Sequence, residues 1–254
     1  MSLVTQFGFP DEWQAFGRRH PVFFETFANL KHGIDKGLNR TIPKTDLADK
    51  MILFLGNHCF EDFMEILLLA GNGYGIGAQK MIRGMYERAV IASYLAANPE
   101  KAEDFLIYAL QEKYTGIKAW VEAWPDDKRA PKYLADAQQR YDEVKDRFKG
   151  KIGWSGLDFV SMARGTGSLG KMLSEAYYGP LGYAHGTSSA LVARLEWSEV
   201  GGYKFDGGPQ REEADRALMI AHKIMIYVLG VQQDRFQPEG LDEAIGICRS
   251  KSVV

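Results

Sequence analysis

Charged side chains stand among apolar ones in a segment that repeats with the period of an α-helix. When successive residues are placed about 100° apart around a helix axis, Arg83 and Glu87 fall in the same sector as Ile76 and Val90. A guanidinium and a carboxylate one turn apart can hold an anion and orient a neighbouring group. The segment therefore predicts an Arg–Glu pair that faces inward.

The next helical segment carries Lys113 in line with apolar residues such as Phe105. The two helices are joined only by residues 98–99, so we expect their apolar faces to meet. A buried ammonium group needs a carboxylate, because an unpaired buried charge costs several kcal/mol. Glu87 is the nearest candidate. Alternatively, Lys113 extends along its own stem to solvent, and Arg83 and Glu87 form a solvated pair.

A lone histidine, His185, lies in the glycine-rich stretch GPLGYAHGTSS. Helical geometry breaks at residues 179–180 and again at Gly186, so His185 is predicted at or beside a helix terminus, with Thr187 or Ser188 capping the next helix. A neutral imidazole there can act as a base, a hydrogen-bond donor or a metal ligand. The alternative is an ordinary packing or capping histidine.

Two further pairs of residues are candidates for the same site. Tyr108 and Glu112 are one turn apart at the edge of the apolar stripe of the Lys113 helix. A tyrosine hydroxyl in such a place commonly finds a hydrogen-bond partner. Trp154 and Ser155, in the motif WSG, are typical of a serine cap preceded by an aromatic anchor.

Metal, phosphate-loop and nucleophile signatures are not found. None of the five histidines follows a glutamate by three residues, as a di-iron bundle requires. His58, Glu61 and Glu65 share one helical face, but a single cluster of this kind is weak support for a metal. The stretch GNGYGIG follows a helix and lacks the Lys-Ser/Thr ending of a phosphate loop, so it is interpreted as a turn. We therefore expect no metal and no cofactor.

One pattern corresponds to a ribonuclease motif. Enzymes of the helical HEPN superfamily have an arginine and a histidine separated by four to six residues, and RALMIAH, from Arg216 to His222, fits that spacing with five residues between them. A match is expected by chance about once in a chain of this composition. His222 also falls within an apolar helix, where a core role is more natural.

The segments that must position these residues are almost all helical. Long helical patterns cover residues 51–70, 75–97 and 98–125, and shorter ones follow as far as residue 178. Helices are also predicted over 187–198 and 211–233, and the tail after Pro238 is expected to be mobile. No alternating strand pattern of four or more residues is present. The prediction is an all-α, single-domain bundle of about eight helices spanning residues 1–254.

Composition excludes several classes of protein. The chain has 254 residues, 46% hydrophobic and 25% charged residues, and a net charge of −2. The absence of a basic block argues against a large nonspecific nucleic-acid footprint. The most apolar window is interrupted by charged residues, so no membrane span is expected. The first residues resemble no targeting segment, and the two cysteines are expected to be reduced, so the predicted location is cytoplasmic.

Four motifs in order give a family resemblance. The run AQKMIRGMYERAVIASYLAANPEKAEDFLIYALQEKY, then IGWSG, then YGPLGYAHGTSSA resembles a bacterial family known only as a domain of unknown function, over about residues 50–200. The resemblance implies a helical bundle of the HEPN-like kind without an established activity. In this chain Gly186 follows the histidine, where members of the family usually have a proline. The glycine loosens the loop that carries His185. The positions that the resemblance marks are Arg83, Tyr86, Glu87, Glu112, Lys113, Tyr114, Trp154, Ser155, Gly156 and His185.

Two hypotheses about function follow. In the first, a pocket between the Arg83 helix, the Lys113 helix and the His185 loop binds a small anionic or nucleotide-like ligand or RNA, with His185 and Glu87 as catalytic candidates if phosphodiester cleavage occurs. In the second, the protein is a non-catalytic interaction domain, a homodimer, whose charged residues form a buried structural network. The ligand-binding candidates are Arg83, Lys113, Tyr86, Tyr108, Glu112, Trp154 and Ser155.

Overall fold

The computed structural model of the protein describes residues 8–41, 46–185, 187–199 and 201–250. The described residues form eleven α-helices and one two-stranded antiparallel hairpin. The helices are α1 Glu12–Arg19, α2 Pro21–Leu38, α3 Leu47–Gly71, α4 Gly75–Ala97, α5 Ala102–Ala123, α6 Ala130–Asp142, α7 Phe159–Arg164, α8 Gly179–Ala184, α9 Ser188–Val192, α10 Arg211–Phe236 and α11 Leu241–Ser250. The strands are β1 Leu195–Trp197 and β2 Tyr203–Phe205. The all-α class is confirmed, although the helices are more numerous than the eight or so expected.

Three long helices, α3, α4 and α10, form the centre of the core. Their inward faces bury large apolar side chains such as Phe63, Ile82 and Ile224 completely or nearly so. The first turns of α4 and α10 approach so closely that a Cβ atom on Gly75 would overlap the Gln210 carbonyl oxygen. A glycine is therefore required at the beginning of α4, and this close contact fixes where α4 starts relative to α10.

A short, irregular stretch crosses α4 and carries the candidate histidine. A π-helical turn covers Leu173–Tyr178 and continues directly into α8. Pro180 lies in the first turn of α8, directly after the π-helical turn. Because π-helical turns are often found at functional sites, this stretch is a candidate for part of a functional site.

Beyond its first two turns, which pack against the core, α5 pairs mainly with α6. Only Ala102 and Asp104 are buried on α5, both in its first turn. Farther along, the rings of Tyr114 and Tyr141 stack with centroids 4.5 Å apart. Helix α6 thus covers part of α5, whereas Leu106 on α5 and Trp124 directly after it stay exposed.

The helix predicted over residues 187–198 is wrong. Helix α9 ends at Val192, and the chain then forms the hairpin, in which Leu195 pairs with Phe205 and Trp197 with Tyr203. An alternation of only three residues on each strand is too short to stand out in the sequence.

The two ends of the described chain also contribute to the core. Residues after Pro238, where a mobile tail was expected, include α11, and its side chains at Leu241, Ile245 and Cys248 are buried. Cys59 is buried as well, and both cysteines are free thiols. Within the ranges given above, no helix has the length and hydrophobicity needed to span a bilayer.

Candidate functional site

Arg83 and Glu87 lie one turn apart on α4 and form an ion pair. Arg83 Nε donates to Glu87 Oε1 over 2.8 Å, and the two side chains are 25% and 36% exposed. The pair thus lies at the edge of the fold and is neither fully buried nor fully solvated. The carboxylate expected to meet Lys113 is instead occupied by Arg83.

Tyr177 completes the setting of the Arg83 guanidinium. Arg83 Nη2 donates to the Tyr177 hydroxyl over 3.2 Å, and Arg83 Cζ lies 4.5 Å from the centroid of the same ring. The ring is itself stacked on Phe159, with centroids 4.8 Å apart. Sequence reasoning missed Tyr177. The available signal was the tandem tyrosine directly before residues 179–180, where the sequence predicted a helix break but the π-helical turn runs straight into α8.

His185 ends α8 and reaches the same guanidinium. Its Nε2 lies 3.4 Å from Arg83 Nη1, which donates to it. The next turn is held by Thr187, whose hydroxyl donates to the Gly182 carbonyl over 2.5 Å and accepts from Ala190 N over 3.3 Å. The predicted cap at Thr187 is therefore confirmed. The replacement of proline by Gly186 lies outside the described residues.

We call Arg83, Glu87, Tyr177 and His185 the Arg83 cluster. Partial burial disfavours the charge on Arg83, but the hydrogen bond and ion pair with Glu87 outweigh it and raise the pKa of Arg83 above its ordinary value. The guanidinium therefore stays charged. A fixed positive charge beside an exposed imidazole can hold an anion and exchange a proton with it.

Tyr86 lies beneath this cluster but does not join it. The side chain is completely buried, and its hydroxyl donates to the Leu169 carbonyl over 3.0 Å. Burial raises the pKa of Tyr86 to about 12. The residue ties α4 to the stretch before the π-helical turn, and it supports the site from below.

Lys113, Glu112 and Tyr108 lie on α5, away from the Arg83 cluster. Lys113 is exposed and lines a small cavity of about 130 Å³ with Asp136 and Arg140 of α6. Glu112 is also exposed, and Tyr108 packs its ring edge against Phe148 at 5.1 Å. The expectation of a buried Lys113 paired with Glu87 is wrong, because the stripe that contains Lys113 turns toward α6.

Trp154 and Ser155 have local structural partners. The Trp154 ring packs edge-on against Tyr94 at 5.6 Å and Phe105 at 5.0 Å. The Ser155 hydroxyl accepts from Leu157 N over 3.1 Å, which closes a tight turn. The two residues thus fix the chain between α5 and α7, and neither contacts a residue of the Arg83 cluster through a hydrogen bond described here.

Arg216 and His222 share α10 but have different surroundings. His222 is 6% exposed and packs edge-on against Phe23 at 5.9 Å. Arg216 is half exposed and pairs with Glu212 at 2.9 Å. The core role expected for His222 is confirmed. Within the part of the chain that the structure describes, no group of three or more His, Cys, Asp or Glu side chains could hold a metal ion.

Comparison with known proteins gives one match. The model of a family described as a family of unknown function, DUF5677, matches residues 49–203. Neither the curated proteins nor the solved structures gave a match. The matched residues run from the first turn of α3 into β2, and they include every member of the Arg83 cluster.

Proposed function

The chain belongs to this family of unknown function, DUF5677, and from that premise we propose that it binds a small phosphate-bearing or nucleotide-like anion at the Arg83 cluster. The observation that carries the proposal is the contact between Arg83 of α4 and His185 at the end of α8. It joins a permanent cation and a titratable ring at the edge of the fold.

Arg83 keeps unused hydrogen-bond donors. A guanidinium has five N–H groups. One on Nε goes to Glu87, one on Nη2 to Tyr177 and one on Nη1 to His185, and five less three leaves two, one on each terminal nitrogen. Among the described residues these two N–H groups have no partner. Two donors on neighbouring nitrogens suit the oxygens of a phosphate group.

His185 supplies the proton-transfer group in the enzymatic form of the proposal. The 3.4 Å separation between Arg83 Nη1 and His185 Nε2 is long for a hydrogen bond. A phosphate oxygen that takes the Arg83 donor releases the Nε2 lone pair. That lone pair can accept the proton of a hydroxyl whose oxygen attacks phosphorus, while Arg83 stabilises the charge that develops on phosphorus-bound oxygen. The P–O bond to the leaving group breaks as the new P–O bond forms, and the leaving oxygen takes a proton back from the imidazolium or from water. Glu87 orients Arg83. The reaction class is RNA or other phosphodiester cleavage, by analogy with HEPN-like ribonucleases.

Binding of uridine 3′-monophosphate, measured by calorimetry, tests the site. Arg83→Gln is expected to weaken binding about 10- to 100-fold, because a charge-assisted hydrogen bond contributes about 1.5–3 kcal/mol. Arg88→Gln is the matched control, since Arg88 lies on the same helix and pairs with Asp62 instead, at 2.7 Å. Equal affinity in the Arg83 variant and the natural protein contradicts the proposal.

Cleavage of a fluorescently labelled RNA oligonucleotide tests the catalytic step separately. His185→Ala is expected to abolish cleavage while nucleotide affinity falls by less than in the Arg83 variant. If the natural protein cleaves and His185→Ala cleaves at the same rate, His185 is not the acid or base. If the natural protein binds the nucleotide without cleaving RNA, the site is a binding site only.

A second candidate function is that of a non-catalytic cytoplasmic homodimer. It is favoured by the hairpin, where Trp197 and Tyr203 are 70% and 73% exposed and pack edge-on against each other at 5.4 Å. Adjacent exposed aromatic side chains are typical of contact surfaces. The second hypothesis from the sequence also included a buried network of charged residues. The partial exposure of Arg83 and Glu87 is less consistent with that network.

A further inference from the structure

A cavity apart from the Arg83 cluster, open to solvent on one side, lies between the first turns of α4, helix α9 and strand β2. Its volume is about 840 Å³, within the range usual for small-molecule sites. Its walls are largely apolar, and they include Phe9, Tyr74, Leu191 and Phe205. Three of these side chains, Tyr74, Leu191 and Phe205, are between 41% and 58% exposed, so a ligand would remove substantial apolar surface from water.

Two cations and no acid line this cavity. Lys80 and Arg194 are the charged lining residues, and no Asp or Glu contributes to the wall. Lys80 makes no ion pair with any residue in the described ranges. Arg194 donates from Nη1 to the Gly208 carbonyl over 3.1 Å and lies over the Phe205 ring at 4.9 Å, so its positive charge is not neutralised by a carboxylate. The cavity therefore has an unbalanced positive charge.

Two of the four other polar side chains of the wall, Gln210 and Thr187, are satisfied within the protein, whereas the hydroxyls of Tyr74 and Ser188 have no hydrogen bond to a described residue. The Gln210 amide donates to the Gly208 carbonyl over 2.7 Å and accepts from Ile76 N over 3.4 Å. The Thr187 hydroxyl is used by Gly182 and Ala190. A ligand that matches this wall thus needs an apolar body and one anionic group, and it needs few other hydrogen bonds.

We propose that the cavity binds an amphipathic monoanion, a carboxylate carried on an aliphatic or aromatic body. The body lies against Tyr74, Leu191 and Phe205, and the carboxylate pairs with Lys80 and Arg194. The acid that follows β2, Asp206, makes no ion pair with Lys80 or Arg194 within the described residues; its Oδ1 accepts from Gly208 N over 2.8 Å, and it is absent from the cavity wall. The site uses neither Arg83 nor His185.

Calorimetry with four probes tests the chemistry of the ligand. Octanoate and 3-phenylpropionate represent the aliphatic and the aromatic source of the same headgroup, octanol lacks the charge, and inorganic phosphate lacks the apolar body. At least one carboxylate is expected to bind, at least about tenfold more tightly than octanol, because the charge-assisted hydrogen bonds are lost in the alcohol. The tighter of the two carboxylates identifies the body. Binding of octanol with equal affinity, or no binding of either carboxylate, overturns the proposal.

Variants test where the carboxylate binds. Lys80→Gln and Arg194→Gln are each expected to weaken carboxylate binding about tenfold. Leu191→Asp, a change at an exposed position, is expected to abolish it by placing a negative charge on the wall. Lys118→Gln is the control, because Lys118 is exposed on α5 and pairs only loosely with Glu122 at 4.0 Å. Unchanged affinity in the Lys80, Arg194 and Leu191 variants places the ligand elsewhere and overturns the proposal.

Carboxylate binding in this cavity is expected to be independent of the Arg83 cluster. Arg83→Gln is expected to leave carboxylate affinity unchanged while it weakens uridine 3′-monophosphate binding. A loss of carboxylate binding in Arg83→Gln, with none in Lys80→Gln and Arg194→Gln, assigns the ligand to the Arg83 cluster and overturns the second site.

Discussion

At the scale of single residues, His222 is the clearest case of a side chain whose surroundings control its protonation. Burial lowers the pKa of His222 from 6.5 to about 4. The unfolded chain therefore binds a proton that the folded chain does not, and stability falls as the pH drops from 6.5 toward 4. The expected loss is about 3 kcal/mol over that interval. Urea unfolding at several pH values measures it.

The variant His222→Leu separates this contribution from the rest of the acid response. It is expected to lose the part of the pH slope that lies between about pH 4 and 6.5, while His32→Gln, a change at an exposed histidine of α2, keeps the slope of the natural protein. An unaltered slope in His222→Leu means that the ring is not held neutral by burial. Such a result would also mean that His222 is accessible to solvent, and the Arg216–His222 pair would then again be a candidate for the ribonuclease motif.

Single residues also show what helical periodicity can predict about a site. The wheel placed Arg83 and Glu87 on one face of α4, and the break in the glycine-rich stretch placed His185 at a helix end. The structure brings these three together. The helical wheel did not identify Tyr177 as a site residue, because a π-helical turn departs from the 3.6-residue period on which the wheel depends.

At the scale of elements, the same periodicity identifies an apolar face but does not name the element that covers it. The stripe on α5 that contains Lys113 was assigned to α4 because the two helices follow each other in the chain. In the structure Lys113 lines a cavity with residues of α6, whereas Phe105 of the same stripe packs against Trp154. Which helix a face meets depends on the loop angles and on the competing faces of all other helices.

The hairpin gives a prediction about self-association. If the aromatic pair Trp197 and Tyr203 forms a homodimer contact, Trp197→Ser is expected to shift the molar mass in solution from that of a dimer to that of a monomer, because aromatic anchors contribute most of the binding energy of an interface. Light scattering after size-exclusion chromatography measures the mass. Trp124→Ser is the matched control, since Trp124 is similarly exposed, at 65%, but follows α5. A monomeric natural protein rejects the dimer.

At the scale of the whole molecule, the segment matched by the family model does not close its own core. Residues 49–203 contain most of α3 and all of α4, whose inward faces are covered by α10 from outside the matched segment. The two flanks also contact each other: Asp215 of α10 accepts from Arg19 Nη2 over 3.0 Å and lies 2.8 Å from His20 Nε2. The flanking helices are therefore part of the same folding unit that we propose for the chain. Helical periodicity and the absence of a strand pattern predicted the all-α class, but they carried no information on which flank would cover which face.

The last helix provides the sharpest test of that unity. Leu241 of α11 is completely buried, and α2 approaches it so closely that a Cβ atom on Gly37 would lie 3.4 Å from Leu241 Cδ2. Leu241→Ala is expected to lower the free energy of unfolding by about 2–5 kcal/mol, through lost apolar contact and the cavity left behind. Glu243→Ala, at an exposed position on the same helix, is expected to change it by less than about 0.5 kcal/mol. Urea denaturation followed by circular dichroism measures both. Because α11 packs on α2 and α10, the destabilisation caused by Leu241→Ala should shift the main urea-unfolding transition of the whole protein. A mobile tail would instead leave that transition unchanged in both variants.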